Sequence, residues 1–202
     1  GRIAAPPSKS MAHRLLICAG LSQGVSTVRG IDLSQDVLAT LDCLEAMGAE
    51  YHIADGCVQV RGIDPRKIKE AKTLPCRESG STLRFFLPLC LLCGKQMTLR
   101  GSQSLFARPL SVYQSICKSQ GLQYAKSEDH VTVQGVLQAG EFKIPGNISS
   151  QFISGLLFAL PLLEQDSVIT ISVPIESRSY IELTLEALQE FGVSVIWQTD
   201  RS

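Results

Sequence analysis

The sequence predicts an α/β domain of three β-α-β-α-β-β repeats with pseudo-threefold symmetry, helices inside and sheets outside. Three observations predict it. Turn signals recur at a fixed spacing, each interval holds the same order of helix-like and strand-like patterns, and one helix in each interval is apolar nearly all round. Arg29-Gly30 and Arg100-Gly101 close strand-like runs about 71 residues apart. Gly48-Ala49, Gly121-Leu122 and Gly192-Val193 follow one another at about 73 and 71 residues.

Taken in order, the first unit has a polar cluster leading into an apolar helix at 8–21, a strand at 26–29 and a helix at 34–47. In that second helix Val37, Leu41, Leu44 and Met47 fall on one face, and Gly48 is a stop signal. Strands at 50–54 and 57–61 close the unit. The second unit repeats this with a helix at 79–93, a strand at 97–100 and a helix at 109–120; Val131-Thr132-Val133-Gln134-Gly135 then echoes Val58-Gln59-Val60-Arg61-Gly62. The third has a helix at 149–163, a strand at 167–173 and a helix at 180–191, with Gly192 opening a further strand. The repeats therefore span about 8–62, 76–135 and 143–202 of a single domain, 1–202. Residues 83–92 and 152–163 have no polar face, so those helices belong inside with sheets over them. Composition alone would suit an open sheet with helices outside; the apolar first helices argue against it.

With 202 residues and 45% hydrophobic content, the chain can bury a full core. Its zero formal charge leaves no basic face for nucleic acid or a membrane surface, and the longest apolar run, 85–93, is half of what a membrane crossing needs. Seven cysteines, an odd number set mostly in apolar stretches, fit a reducing cytoplasmic compartment. Cys90 and Cys93 make a C-x-x-C, but with no second pair or His cluster nearby they read as helical core residues rather than a redox or metal site. No metal-ligand cluster, Ser-His-Asp set or dinucleotide loop is present, so no cofactor is expected. His52 and His130 fall on strands or turns, and only His13, beside Arg14, is placed to approach a ligand.

The chemistry is expected where the three first helices begin. Each helix start offers free backbone N–H groups and about half a positive charge. Those starts read Pro7-Ser8-Lys9-Ser10 with Arg14, Glu78-Ser79-Gly80-Ser81-Thr82 with Arg84, and Ser149-Ser150-Gln151. Any one serine cluster is explained by plain N-capping. Lys9, Arg14 and Arg84 are not, because cations are disfavoured at helix starts unless an anion offsets them. Arg108-Pro109 and Ser177-Arg178-Ser179-Tyr180 open the second helices, where Arg suits a bidentate grip on carboxylate or phosphate. Gly80 lets a ligand approach the backbone. Lys9 is the best candidate for a chemically active group, with a structural ion pair as its plainer explanation.

In that order, Pro7-Ser8-Lys9-Ser10 with Arg14, Ser79-Gly80-Ser81 with Arg84, Arg108-Pro109-Leu110, Ser149-Ser150-Gln151-Phe152 and Ser177-Arg178-Ser179-Tyr180-Ile181 resemble the EPSP synthase family over essentially the whole chain. The resemblance implies an inside-out α/β barrel domain, the N-terminal of two, and transfer of an enolpyruvyl group from phosphoenolpyruvate to the 5-hydroxyl of shikimate 3-phosphate. It implies Lys9 as the catalytic residue beside both substrates. Ser10, Arg14, Ser149, Ser150, Gln151, Ser177 and Tyr180 are implied for shikimate 3-phosphate, and Gly80, Arg108 and Gln151 for phosphoenolpyruvate. Ser81, Arg84 and Arg178 remain possible anion contacts. Many members have Asn-Ala-Gly-Thr where this chain has Glu78-Ser79-Gly80-Ser81, and Pro where it has Phe85. The acid and the further phosphoenolpyruvate grips that the family places in its second domain are not in this sequence, so the chain alone is expected to be inactive. The related UDP-N-acetylglucosamine enolpyruvyl transferases have Lys-Asn where this chain has Lys9-Ser10. A non-catalytic phosphate-binding module is the alternative from a different class.

Overall fold

The computed structural model describes residues 6–198. Helix α1 (Lys9–Leu21) is capped by the Ser8 hydroxyl, which accepts from Met11 N. Strand β1 (Val25–Arg29) follows, then α2 (Gln35–Met47), capped by Ser34, and the hairpin β2 (Glu50–Ala54) and β3 (Cys57–Arg61). Next come β4 (Lys72–Arg77), α3 (Gly80–Cys90), β5 (Met97–Gly101), the short α4 (Gln103–Phe106), α5 (Ser111–Ser119), β6 (Gln123–Lys126) and β7 (His130–Gln134). The last group is β8 (Glu141–Ile144), α6 (Gln151–Ala159) with a 3-10 turn at Leu160–Leu162, β9 (Val168–Ile171) and α7 (Arg178–Glu190).

The pattern reading located every helix but the short α4, and the β2-β3 hairpin, but not β4 and β8. Both are short strands paired in parallel on one side only, β4 to β5 and β8 to β9. Pro75 sits inside β4, and an edge strand tolerates a residue that lacks an N–H. Gly192 stops α7 with φ 77°, but 193–198 form no strand, so the strand expected there is absent as far as residue 198. Residues 199–202 lie outside the described residues.

Three sheets form: β1-β3-β2, β4-β5-β7-β6 and β8-β9. Among the described residues no ladder joins one sheet to another. Each sheet buries alternate residues, such as Val58 and Val60 on β3 and Val131 and Val133 on β7, as a period of two requires. The helices pack on one another and on the strands. α1 packs on α2 and α7, α3 on α2 and α6, and α6 on α7. α3 is buried at every residue from Thr82 to Cys90, and α6 from Phe152 to Ala159. Cys90 is part of this core and Cys93 lies in the turn behind it, bonded through its thiol to the Cys90 carbonyl.

Pro88 lies inside α3 and supplies no N–H to the carbonyl four residues earlier, that of Arg84. The Tyr113 hydroxyl, from α5, fills that role. It lies 2.6 Å from the Arg84 carbonyl oxygen and 3.2 Å from that of Phe152 on α6. One buried tyrosine thus ties α5 to α3 and α6.

Candidate functional site

The starts of α1, α3, α6 and α7 converge on one cavity of about 160 Å³. α1 contributes Ser10 and Arg14, and α3 contributes Ser81 and Phe85. Ser149, Ser150 and Gln151 come from the start of α6, and Ser177 and Tyr180 from the start of α7. Every residue expected at the shikimate 3-phosphate subsite except Lys9 lines this space. The serines divide by their local roles. Ser8 and Ser79 spend their hydroxyls as N-caps, whereas Ser150 and Ser177 are N-cap residues with no side-chain capping bond. Ser177 also has φ 56°, a left-handed conformation that is costly for a residue with a Cβ and turns α7 into the cavity.

Arg14 is buried and makes four hydrogen bonds. It donates from Nε to Thr184 Oγ1 at 2.7 Å, from Nη1 to the Ser10 carbonyl at 2.6 Å, and from Nη2 to the Tyr180 carbonyl at 2.8 Å and Ser154 Oγ at 3.4 Å. Ser154 and Thr184 bond each other at 2.7 Å. Its guanidinium also stacks on Phe85, 5.2 Å from the ring centroid. Burial pushes its pKa down to about 10, still protonated near neutrality. Five donors are available and four are used, so this cation fixes α1 to α6 and α7 and lends the cavity its charge more than its free N–H groups.

Beside the cavity, α3 begins at Gly80. A Cβ there would lie 2.8 Å from Arg108 Nη1 and 3.2 Å from Arg84 Nη1, so two guanidiniums crowd over bare backbone. Burial, and more weakly the like charge of Arg108, lowers the pKa of Arg84. Arg84 Nε is buried without a hydrogen-bond partner, and Arg84 Nη1 donates to Gln151 Oε1 at 2.8 Å. Gln151 in turn donates from Nε2 to Ser81 Oγ at 2.8 Å. Arg84 is buried and Arg108 exposed, and two like charges this close are stabilised by an anion between them. Gln151 bridges this pair to the main cavity.

Lys9 lies at the rim, its Nζ 2.6 Å from Asp36 Oδ2 on α2, with its side chain 54% exposed. An exposed ion pair of this kind contributes about 0–1 kcal/mol, so an incoming anion exchanges it readily. Arg178 is directed elsewhere, into a pair with Glu182 at 2.9 Å and onto the Trp197 ring. His13 does not reach the cavity. Its Nδ1 lies 2.7 Å from Thr40 Oγ1, which lies 2.9 Å from Thr82 Oγ1, and Thr82 donates to Ser79 Oγ at 2.8 Å. A wider groove of about 490 Å³ runs over β4 and β5, but its arginines, Arg77 and Arg100, are paired with Asp42 and Asp129. Sequence reasoning missed Ser154 and Thr184. Their signal was a hydroxyl inside an otherwise apolar helix face, at the spacing that stacks Ser154 one turn after Ser150. No group of His, Cys, Asp and Glu among the described residues is arranged to hold a metal ion.

The family model for EPSP synthase (3-phosphoshikimate 1-carboxyvinyltransferase) matches residues 1–202. A 3-phosphoshikimate 1-carboxyvinyltransferase of Clostridium perfringens is 44% identical over 197 residues, 96% of this chain and 46% of the relative. That of Clostridium beijerinckii is 45% identical over 204 residues, covering 97% and 47%. The chain thus spans about half the length of the curated relatives it matches. The solved EPSP synthase of Acinetobacter baumannii superposes with a TM-score of 0.81 at 24% identity, over 98% of this chain and 45% of that one, a shared fold.

Proposed function

The chain belongs to the EPSP synthase family, and from that premise we propose that it is the N-terminal, shikimate 3-phosphate-binding half of an enzyme that transfers the enolpyruvyl group of phosphoenolpyruvate to the 5-hydroxyl of shikimate 3-phosphate. The observation that carries this reading is the gathering of Ser10, Arg14, Ser149, Ser150, Ser177 and Tyr180 from three helix starts around one polar cavity. Beside it lies a second anion position, over Gly80, between Arg84 and Arg108. The free hydroxyls of Ser150 and Ser177 and the starts of α6 and α7 hold the phosphate of shikimate 3-phosphate. The Tyr180 ring, 45% exposed, packs against the carbocycle. Phosphoenolpyruvate sits across Gly80, its negative charges taken by Arg108 and Gln151, with Arg84 adding charge from beneath.

Lys9 leaves Asp36 and turns its ammonium between the two substrates, where it offsets charge that develops on the donor in the transition state. The acceptor hydroxyl gives its proton to a base and adds to the enolpyruvate carbon as the neighbouring carbon takes a proton, and the tetrahedral ketal then expels phosphate as that methyl carbon returns a proton, which restores the double bond. Acid and base on the far side come from the second domain, the missing partner of this chain, so the isolated half binds without turning over. The three helix-sheet groups are three copies of one unit about a pseudo-threefold axis, an arrangement that places the inner helix starts on one face. The seven free cysteines suit the reducing cytoplasm.

The test uses the full-length protein carrying this chain. Phosphate release from phosphoenolpyruvate is followed with shikimate 3-phosphate, and with UDP-N-acetylglucosamine as control. Turnover with the first acceptor alone supports the assignment; turnover only with the nucleotide sugar, or with neither, refutes it.

A further inference from the structure

We propose that Arg77 is a positioning residue that sets the approach of α3 to the anion site at Gly80, an inference that rests on the function proposed above. Arg77 ends β4 and has φ 51°, one of three residues other than glycine with positive φ among the described residues. The register between β4 and β5 slips between Pro75 and Arg77, so the strand breaks its ladder at this point. An arginine held in a left-handed conformation is kept there by its surroundings. Both of its side-chain partners are on α2. Arg77 Nε and Nη2 each lie 2.7 Å from Asp42 Oδ2, and Nη1 donates to Gln35 Oε1 at 2.6 Å.

The backbone is held as firmly. The Arg77 carbonyl accepts from Ser102 N at 2.9 Å, and Ser79 N donates to the Cys76 carbonyl at 2.9 Å. The turn 76–79 is therefore gripped by α2 through a side chain and by the segment after β5 through a peptide. Ser79 is the N-cap of α3, and Gly80 is the residue over which Arg84 and Arg108 meet. Arg77 touches no residue of the cavity, and its guanidinium is committed to Asp42 and Gln35, so it acts through the turn and not on substrate. A loosened turn tilts the first turn of α3 and shifts Gly80 and Ser81, while Ser10, Arg14, Ser149 and Ser177 stand on other elements.

The test measures KM for each substrate, kcat and the thermal midpoint in the full-length protein for Arg77→Gly, Arg77→Lys and Asp42→Asn. Glycine relaxes the backbone and removes the grip; Asp42→Asn keeps the backbone residue and weakens the grip, which guards against a variant that fails to fold. Wild-type turnover is established first, so loss of the function reading itself shows there. The expected result is a rise in KM for phosphoenolpyruvate of about tenfold in Arg77→Gly and Asp42→Asn, because displacements near one ångström cost this much or more. KM for shikimate 3-phosphate stays within about twofold, and Arg77→Lys recovers part of the loss through its one remaining bond to Asp42. An equal rise in both KM values, a fall in thermal midpoint with unchanged kinetics, or no change in any of them overturns the proposal.

Discussion

Replacing Tyr113 with Phe removes one oxygen from a site that is 1% exposed. Its cost follows from where that oxygen points. The Arg84 carbonyl has no N–H to receive from Pro88, so the Tyr113 hydroxyl at 2.6 Å donates to it instead, and the site is too buried for bulk water to substitute. A buried carbonyl left without a donor costs about 1–3 kcal/mol, and the short distance places this one near 2 kcal/mol. For a domain of this size that lowers the thermal midpoint by about 4–8 °C. Pro88→Ala changes the calculation, since alanine supplies the N–H four residues on. In that background Tyr113→Phe costs about 0.5 kcal/mol, leaving a coupling of about 1.5 kcal/mol between two residues from different helices. Chemical denaturation of the four proteins in this cycle measures it. Additive losses, with coupling below about 0.3 kcal/mol, would show that the tyrosine does not replace the missing helical bond.

Three further outcomes are expected. Burial lowers the pKa of His13 from 6.5 to about 4, with the Asp36 charge opposing and those of Lys9 and Arg14 adding to the fall. The unfolded chain then takes up this proton first, so stability present above pH 6.5 is lost as pH falls towards 4, by about 2 kcal/mol between pH 8 and pH 5. Denaturant curves of His13→Gln should lack that slope, and parallel curves for the two proteins would exclude His13 as its source. Lys9→Ala in the full-length protein should lower kcat by about a hundredfold or more with a thermal midpoint within about 2 °C of wild type, because the lost ion pair is half exposed; retained turnover would remove Lys9 from the chemistry. Gly155→Ala places a methyl against the Tyr113 hydroxyl and the Arg84 carbonyl across the α3–α6 contact. It should destabilise by about 2–4 kcal/mol in the same denaturation assay, and a neutral effect would mean the two helices part freely.

Much of this was legible in the chain because apolar spacing is a local property. α2 was placed by Val37, Leu41, Leu44 and Met47, and Gly48 closed it with φ 112°. The serine clusters were read as helix starts because short hydroxyl side chains compete for backbone N–H groups, and they are starts. What the sequence could not show is how each hydroxyl is used. Ser79 caps its helix while Ser150 does not, a difference set by φ and ψ. Long-range partners were equally hidden. Nothing near Arg14 announces Thr184, and nothing near Arg178 announces that its guanidinium lies over Trp197. β4 escaped notice because Pro75 reads as a strand breaker until its place on a sheet edge is known.

Arg14 has a consequence for how the domain comes together. Its bond to Thr184 spans 170 positions, and its bonds to Ser154 and Tyr180 span 140 and 166. Contacts that close so much chain carry a large entropic cost and form late in folding. A guanidinium buried without them would carry an uncompensated charge. The cavity therefore depends on both ends of the chain: a cut between α1 and α7 that lets α7 drift removes Ser177 and Tyr180 from the site and leaves Arg14 without its bonds to Thr184 and the Tyr180 carbonyl.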